Sequence, residues 1–398
     1  MSRIIQDCYI VATQRTAVGK APRGMFRHTR PDDLLAHCLR GILKPFPQID
    51  PTRIDDVIVG CAMPEAEQGM NMARIAALLA GLPDSTAAMT INRFCSSGVQ
   101  AVALAADRIR MGEADLMIGA GAESMSMIPM MGHKVAMNPA IFQDDNIAIA
   151  YGMGITAEKV AEQWKITRDA QDQFALRSHQ KAIKAIESGA FKQEILPYPI
   201  DDKSPDLDRR AIVVKQKLAG TDEGPRADSS IAGLAALKPV FRQGGSVTAG
   251  NSSQMSDGAG AVLLASAQAI KDYGLTPLAR FVGFAVAGVK PELMGIGPIA
   301  AIPKACKQAG INQNDLDWIE LNEAFAAQSL AVINDLGLDP GKVNPLGGAI
   351  ALGHPLGATG AIRIATLIHG LGREKQKYGM VTMCIGTGMG AAGIFERL

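Results

Sequence analysis

A chain of 398 residues with 47% hydrophobic and 20% charged side chains has the composition of a folded protein of two or more domains, and intrinsic disorder is excluded. Forty basic against thirty-nine acidic residues leave a formal charge of +1, so no global field points to nucleic acid or an anionic membrane surface as a partner. The start Met1-Ser2-Arg3-Ile4-Ile5-Gln6-Asp7 meets an acidic residue before any signal-peptide core, and the six cysteines form no Cys-x-x-Cys pair, so a soluble protein in a reducing compartment is expected.

Short apolar runs alternate with helical patterns along the chain. Strands are predicted at 9–12 and 57–59 and helices at 34–43 and 72–80, which implies βαβ units and a largely parallel sheet. The block continues through a strand at 89–92, a helix at 99–111 and a strand at 115–120, with a distant closing strand at 260–265. From 122 to 249 the texture changes to a Met-rich stretch, polar helices and a charge-dense segment at 192–226, which predicts a long insertion. The alternation resumes with a strand at 280–287, a helix at 299–309, a strand at 318–321, and helices at 324–336 and 358–371. The run 378–395 carries no charge but five glycines, and it reads as two buried strands joined by a Gly-rich turn rather than a membrane span. The expected division is an N-terminal half (1–121 with 250–274), an inserted domain (122–249) and a similar C-terminal half (275–398).

Two segments carry the chemistry. Asn92-Arg93-Phe94-Cys95-Ser96-Ser97-Gly98 and Gly353-His354-Pro355-Leu356-Gly357 each open a predicted helix, with Cys95 and His354 both three residues before a glycine. An internal duplication with a pseudo-twofold axis would bring the two together. A thiol at a helix N-terminus beside an imidazole is expected to favour its thiolate, which makes a nucleophile. The alternatives are an inert buried thiol and a hydrogen-bonded core histidine. A second cysteine stands in Met383-Cys384-Ile385-Gly386-Thr387-Gly388, at the end of the strand that follows the His354 helix. Asn322, in Asn322-Glu323-Ala324-Phe325, either caps the next helix or orients a water toward a developing oxyanion.

Other signatures fail. Gly388-Met389-Gly390-Ala391-Ala392-Gly393 matches the dinucleotide fingerprint only formally, because no helix, second strand and acidic residue follow it. No Walker-type phosphate loop occurs either.

The four motifs, in order and at these separations, resemble the thiolase family from end to end. The resemblance implies an α/β thiolase fold, two duplicated βαβ-type halves packed as a layered αβαβα core with an inserted loop domain. It implies that His354 takes the proton of Cys95, whose thiolate cleaves a 3-ketoacyl-CoA to an acyl-enzyme and acetyl-CoA, while Cys384 handles the second proton transfer. Oxyanion sites follow from His354 with an Asn322-bound water and from the N–H groups of Cys95 and Gly386. Arg226 is implied near the CoA nucleotide, Ser253 on the pantetheine, and Met153 and Phe325 along the acyl tunnel. CoA is then a substrate, and no metal or other cofactor is expected.

Asp222-Glu223-Gly224-Pro225-Arg226 and Gly295-Ile296-Gly297-Pro298 look more like degradative 3-ketoacyl-CoA thiolases than biosynthetic acetoacetyl-CoA thiolases. Gly152, where acetoacetyl-specific relatives carry histidine, implies a more open pocket. The rival readings are the biosynthetic type, a condensing enzyme similar to β-ketoacyl synthases, and a non-catalytic acyl-CoA-binding protein. The resemblance also implies a homodimer or homotetramer and a multifunctional β-oxidation enzyme as a candidate partner, while the lack of a recognisable targeting presequence leads to the expectation of a bacterial cytoplasmic location, with the mitochondrial matrix as the alternative.

Overall fold

The computed structural model describes residues 5–398, apart from the side chains at 144, 145, 202 and 203. Its first half contains β1 (Cys8–Arg15), β2 (Gly19–Lys20), α1 (Pro31–Leu43), β3 (Ile54–Gly60), α2 (Met72–Leu79), β4 (Ala87–Ile91), α3 (Ser97–Arg110) and β5 (Leu116–Ser124). The chain then leaves the sheet through α4 (Met153–Gln163), α5 (Arg168–Glu187), the hairpin β6 (Tyr198–Asp206) and β7 (Ala211–Ala219), and α6 (Ile231–Ala235). It returns as β8 (Ser256–Ser266) and α7 (Ala267–Tyr273). The second half follows as β9 (Ala279–Gly288), α8 (Gly297–Ala309), β10 (Trp318–Leu321), α9 (Ala326–Leu336), α10 (Ala349–Leu352), α11 (Thr359–Glu374), β11 (Tyr378–Ile385) and β12 (Met389–Arg397).

The duplication is visible in the pairing. The first half has the strand order β1-β8-β5-β3 with β4 outside it, and the second has β9-β12-β11-β10. In the first half β3 runs parallel to both β4 and β5, in the second β10 runs parallel to β11, and in each the next strand inward, β8 or β12, runs back antiparallel. The halves meet edge to edge where Cys8 faces Phe281 and Ile10 faces Ala279.

Side-chain alternation explains the layers. On β5, Leu116, Ile118 and Ala120 face the outer helices α1 and α2, while Met117 faces inward. On β8, Leu263 and Ala265 point outward and Val262 and Leu264 inward. Val381 and Met383 of β11 share that inner space, and Met380 packs outward against α8 and α9. Strands buried on both faces read as continuous apolar runs, as parallel-sheet strands do. The inner space holds α3 and α11, giving the αβαβα order. Ile364, Leu367 and Leu371 of α11 are fully buried there, each contributing roughly 2 kcal/mol of gross apolar burial.

The two inner helices touch backbone to backbone. A Cβ on Gly98 would lie 2.7 Å from the Ala361 nitrogen and 2.8 Å from the Gly357 oxygen, and one on Gly360 would collide with the Val99 nitrogen. Glycine is needed here for room. The segment between β5 and β8 is tied to the core by Arg15, whose guanidinium donates to Glu194 at 2.6 Å and to Asp222 at 2.8 and 3.0 Å, all three groups being buried.

Candidate active site

Parallel strands deliver their C-terminal ends to one region, the usual place for ligands in open α/β sheets. Cys95 lies after β4, Asn322 directly after β10, and Cys384 and Gly386 at the end of β11. Cys95, Asn92, Phe94, Met153, Leu356 and Gly386 line part of a cavity of about 500 Å³.

The Cys95 turn is folded by its own sequence. The Asn92 Oδ1 accepts the Phe94 N–H at 2.7 Å, and the Ser97 hydroxyl accepts the Arg93 N–H at 2.8 Å and donates to the Phe94 carbonyl at 2.6 Å. Phe94 takes φ +44°, a left-handed conformation that costs a non-glycine residue energy. The result presents Cys95 in the 3₁₀ turn Phe94–Ser96, ahead of α3. The N–H groups of Gly386 and of Cys95 itself are directed at the sulfur.

The resting protonation differs from the expected thiolate. Burial pushes the Cys95 thiol up to about 11, more than the two N–H groups pull it down, and the nearby Glu123 carboxylate pushes the same way. His354 is held down to about 3 by burial and by the Arg363 guanidinium, so it is neutral and has no positive charge to lend. At neutral pH Cys95 is therefore a thiol and His354 an uncharged imidazole.

Thr359 and Asn322 hold that base. The His354 Nδ1 lies 2.7 Å from the Thr359 hydroxyl, and the Nε2 lies 3.3 Å from the Asn322 side-chain nitrogen. With the amide donating to Nε2, the ring proton sits on Nδ1 and donates to Thr359. The capping alternative for Asn322 is overturned, because α9 begins only at Ala326 and the Asn322 side chain turns to the histidine. The Asn322 Oδ1 is buried without a partner among the described residues. Cys384, 1% exposed, packs among Phe325, Met294 and Val247, and its deprotonation is opposed by burial first and then by Cys95.

The expected equivalence of Cys95 and His354 is corrected by three residues. Aligning the 3₁₀ turn Phe94–Ser96 and α3 with the turn Leu356–Ala358 and α11 pairs Cys95 with Gly357 and Gly98 with Gly360. His354 precedes that turn and is fixed instead by its N–H to the Gln254 carbonyl at 3.1 Å. Backbone contact at Gly98 and Gly360 fixes the true axis, and the shared glycine spacing in the sequence is a coincidence of register.

The remaining candidates lie around this centre. Met153 begins α4 on the cavity wall. Phe325 packs with Cys384 and Met153 and meets Phe241 edge to face at 6.0 Å. Ser253 is half-buried, its N–H bonded to the Ala324 carbonyl at 2.9 Å, and the adjacent Gln254 side chain donates to the Gly224 carbonyl at 3.0 Å. Arg226, two residues on from Gly224, is exposed and pairs with Asp228 at 3.3 Å. Thr359, Gln254 and Glu123 were not singled out from sequence. Thr359 carried a signal, standing five residues after the histidine at the start of its helix. Among the described residues, no three His, Cys, Asp or Glu side chains are grouped to hold a metal ion, and no helix is long and apolar enough to cross a membrane.

A duplicated layered α/β fold with two thiols at its strand ends and an imidazole held by the Asn322 that follows another strand defines the class of thiol-dependent acyl-transfer proteins. The family model described as Thiolase, N-terminal domain matches residues 8–268, and Thiolase, C-terminal domain matches residues 275–397. The chain belongs to the thiolase family, and its members of this type are acyltransferases. It is 50% identical to the 3-ketoacyl-CoA thiolase of Bacillus subtilis over 98% of this chain and 100% of that one. It is 47% identical to the peroxisomal 3-ketoacyl-CoA thiolase 1 of Arabidopsis thaliana, over 98% of this chain and 88% of the relative. The crystal structure of the Bacillus anthracis acetyl-CoA acetyltransferase matches all of both chains with a TM-score of 0.88 at 40% identity.

Proposed function

We propose that this protein is a 3-ketoacyl-CoA thiolase of fatty acid β-oxidation, cleaving its substrate with CoA to acetyl-CoA and a shortened acyl-CoA. The observation that carries this reading is that Cys95 with its two backbone N–H donors, Cys384, and Asn322 bonded to His354 lie at or just after the ends of parallel strands delivered to one region. In the proposed sequence, His354 takes the Cys95 proton as the sulfur attacks the keto carbon, so thiolate forms only with substrate in place. The C2–C3 bond breaks, leaving an acyl-cysteine, and Cys384 protonates the departing acetyl-CoA enolate. Cys384 then removes the proton of an incoming CoA thiol, which takes the acyl group. The N–H groups of Cys95 and Gly386 would hold the acyl oxygen, and the unpartnered Asn322 Oδ1 suits a water that completes the enolate site with His354. The protein supplies proton transfer and oxyanion donors, with CoA as a substrate and no resident cofactor.

CoA is proposed to run from Arg226 past Ser253 toward Cys95, with the acyl chain along Met153 and Phe325. A Cβ on Gly152 would meet nothing within 4 Å, in keeping with a pocket open to longer chains. We also propose a homodimer, because the outermost strand β4 leaves Met89 exposed and Met70 is 94% exposed nearby in sequence. A tetramer, a multifunctional β-oxidation partner and a bacterial cytoplasmic location extend the same reading. The test is CoA-dependent loss of the magnesium-enolate absorbance of 3-ketoacyl-CoAs of several chain lengths. Thiolysis of short and long chains is expected; activity on acetoacetyl-CoA alone would place the protein with the biosynthetic type.

A further inference from the structure

One buried carboxylate joins the loop that carries the nucleophile to the loop that carries the base. Glu123, near the end of β5, is 1% exposed, and no basic side chain lies within ion-pair distance of it among the described residues. It is satisfied by donors alone. Its Oε2 accepts the Ala62 N–H at 2.7 Å and the Gly357 N–H at 2.8 Å, and its Oε1 accepts the Met63 N–H at 3.2 Å and the Gln68 amide at 2.6 Å. Ala62 and Met63 follow β3 in the first half, whereas Gly357 belongs to the turn ahead of α11 in the second.

Each side leads on to a reacting group. The Ala62 carbonyl accepts the Asn92 side-chain amide at 3.0 Å, and Asn92 in turn accepts the Phe94 N–H, which fixes the left-handed residue before Cys95. On the other side, the Leu356 N–H donates to the His354 carbonyl at 2.9 Å, one residue before Gly357. The approach is tight, since a Cβ on Gly357 would lie 2.6 Å from the Ala62 nitrogen and 2.8 Å from the Glu123 Oε2. A carboxyl group suits this place because its two oxygens accept from both loops at once.

We infer that Glu123 is a positioning residue that holds Cys95 and His354 in one working geometry without touching the substrate. Its kinetic consequences rest on the thiolase reading, but the coupling it creates between thiol and imidazole does not. Glu123→Gln sets an amide N–H against the N–H donors, and Glu123→Asp keeps the charge but shortens the reach.

The experiment combines two readouts on purified full-length protein. Steady-state thiolysis is expected to show kcat reduced about a hundredfold in both variants, with the KM for CoA within threefold of wild type. Iodoacetamide alkylation of Cys95, followed by peptide mass spectrometry, is run with and without His354→Ala. At pH 7, where the Cys95 thiol is protonated and alkylation needs a base, His354→Ala is expected to slow it in the otherwise wild-type protein, and in the Glu123→Gln background that effect is expected to vanish. A folded Glu123→Gln protein with kcat within threefold of wild type, or with the full His354 dependence of alkylation, would overturn the inference. The alkylation cycle decides the matter even if no 3-ketoacyl-CoA is cleaved, a result that would count only against the thiolase reading. Should Glu123→Gln not fold, Gln68→Leu carries the same measurements, with about a tenfold loss of kcat expected and wild-type values contradicting the clamp.

Discussion

The two halves of the molecule use one topology to reach opposite chemical ends. In the first, the turn before α3 places a thiol where two N–H groups converge; in the second, the matching turn before α11 holds only Leu356, Gly357 and Ala358, and the imidazole stands earlier in the chain. The difference teaches that duplication supplies the frame while local insertion of contacts supplies the chemistry. Gly98 and Gly360 keep the frame symmetric, and the bonds from Gln254, Thr359 and Asn322 to His354 break that symmetry where a base is needed.

The comparison can be broken most severely at its proposed nucleophile. Cys95→Ala is expected to abolish thiolysis, whereas Gly357→Ala, at the equivalent place in the second half, should leave a measurable though impaired rate in stopped assays. Next comes the frame itself. Gly98→Ala and Gly360→Ala each force a methyl into backbone, and each should destabilise the fold by about 3 kcal/mol, read as a lower midpoint in urea unfolding. Equal losses would sharpen the pseudo-twofold account; a loss confined to one half would break it. Asn322→Ala removes the partner of the His354 Nε2, and kcat should fall roughly a hundredfold with little change in the KM for CoA.

A pH profile tests the resting state. A thiol pushed up to about 11 is protonated at neutral pH, so with the base removed by His354→Ala the alkylation rate of Cys95 should climb about tenfold per pH unit from 7 to 10. A plateau already reached near pH 7 would mean that the thiolate exists at rest. The smallest effect is expected at Arg226, which is exposed: Arg226→Ala should raise the KM for CoA severalfold and leave kcat unchanged.

Much of the frame was legible in the sequence because strands buried on both faces are uninterrupted apolar runs, as in β8 and β11. The hairpin β6 and β7 was not, because Pro199 and Pro205 lie in β6 and most of β7 is exposed, so neither a clean period of two nor an apolar run marks it. The site was legible as residue types, through Cys95, His354, Asn322 and Cys384. Its electrostatics were not: the helix start and the imidazole suggested a thiolate, but burial outweighs the N–H donors at Cys95 and keeps the imidazole uncharged, and burial is a property of the assembled layers. Glu123 gave no local signal, since a single acid at the end of an apolar strand shows its purpose only once the donors of both halves surround it.

Trapping the acyl intermediate tests the central claim most directly. Protein incubated with a 3-ketoacyl-CoA without added free CoA, then quenched, digested and analysed by mass spectrometry, should carry the acyl group on the Cys95 peptide. An acyl group found on Cys384, or on neither cysteine while thiolysis proceeds, would contradict the assignment of Cys95 as the nucleophile.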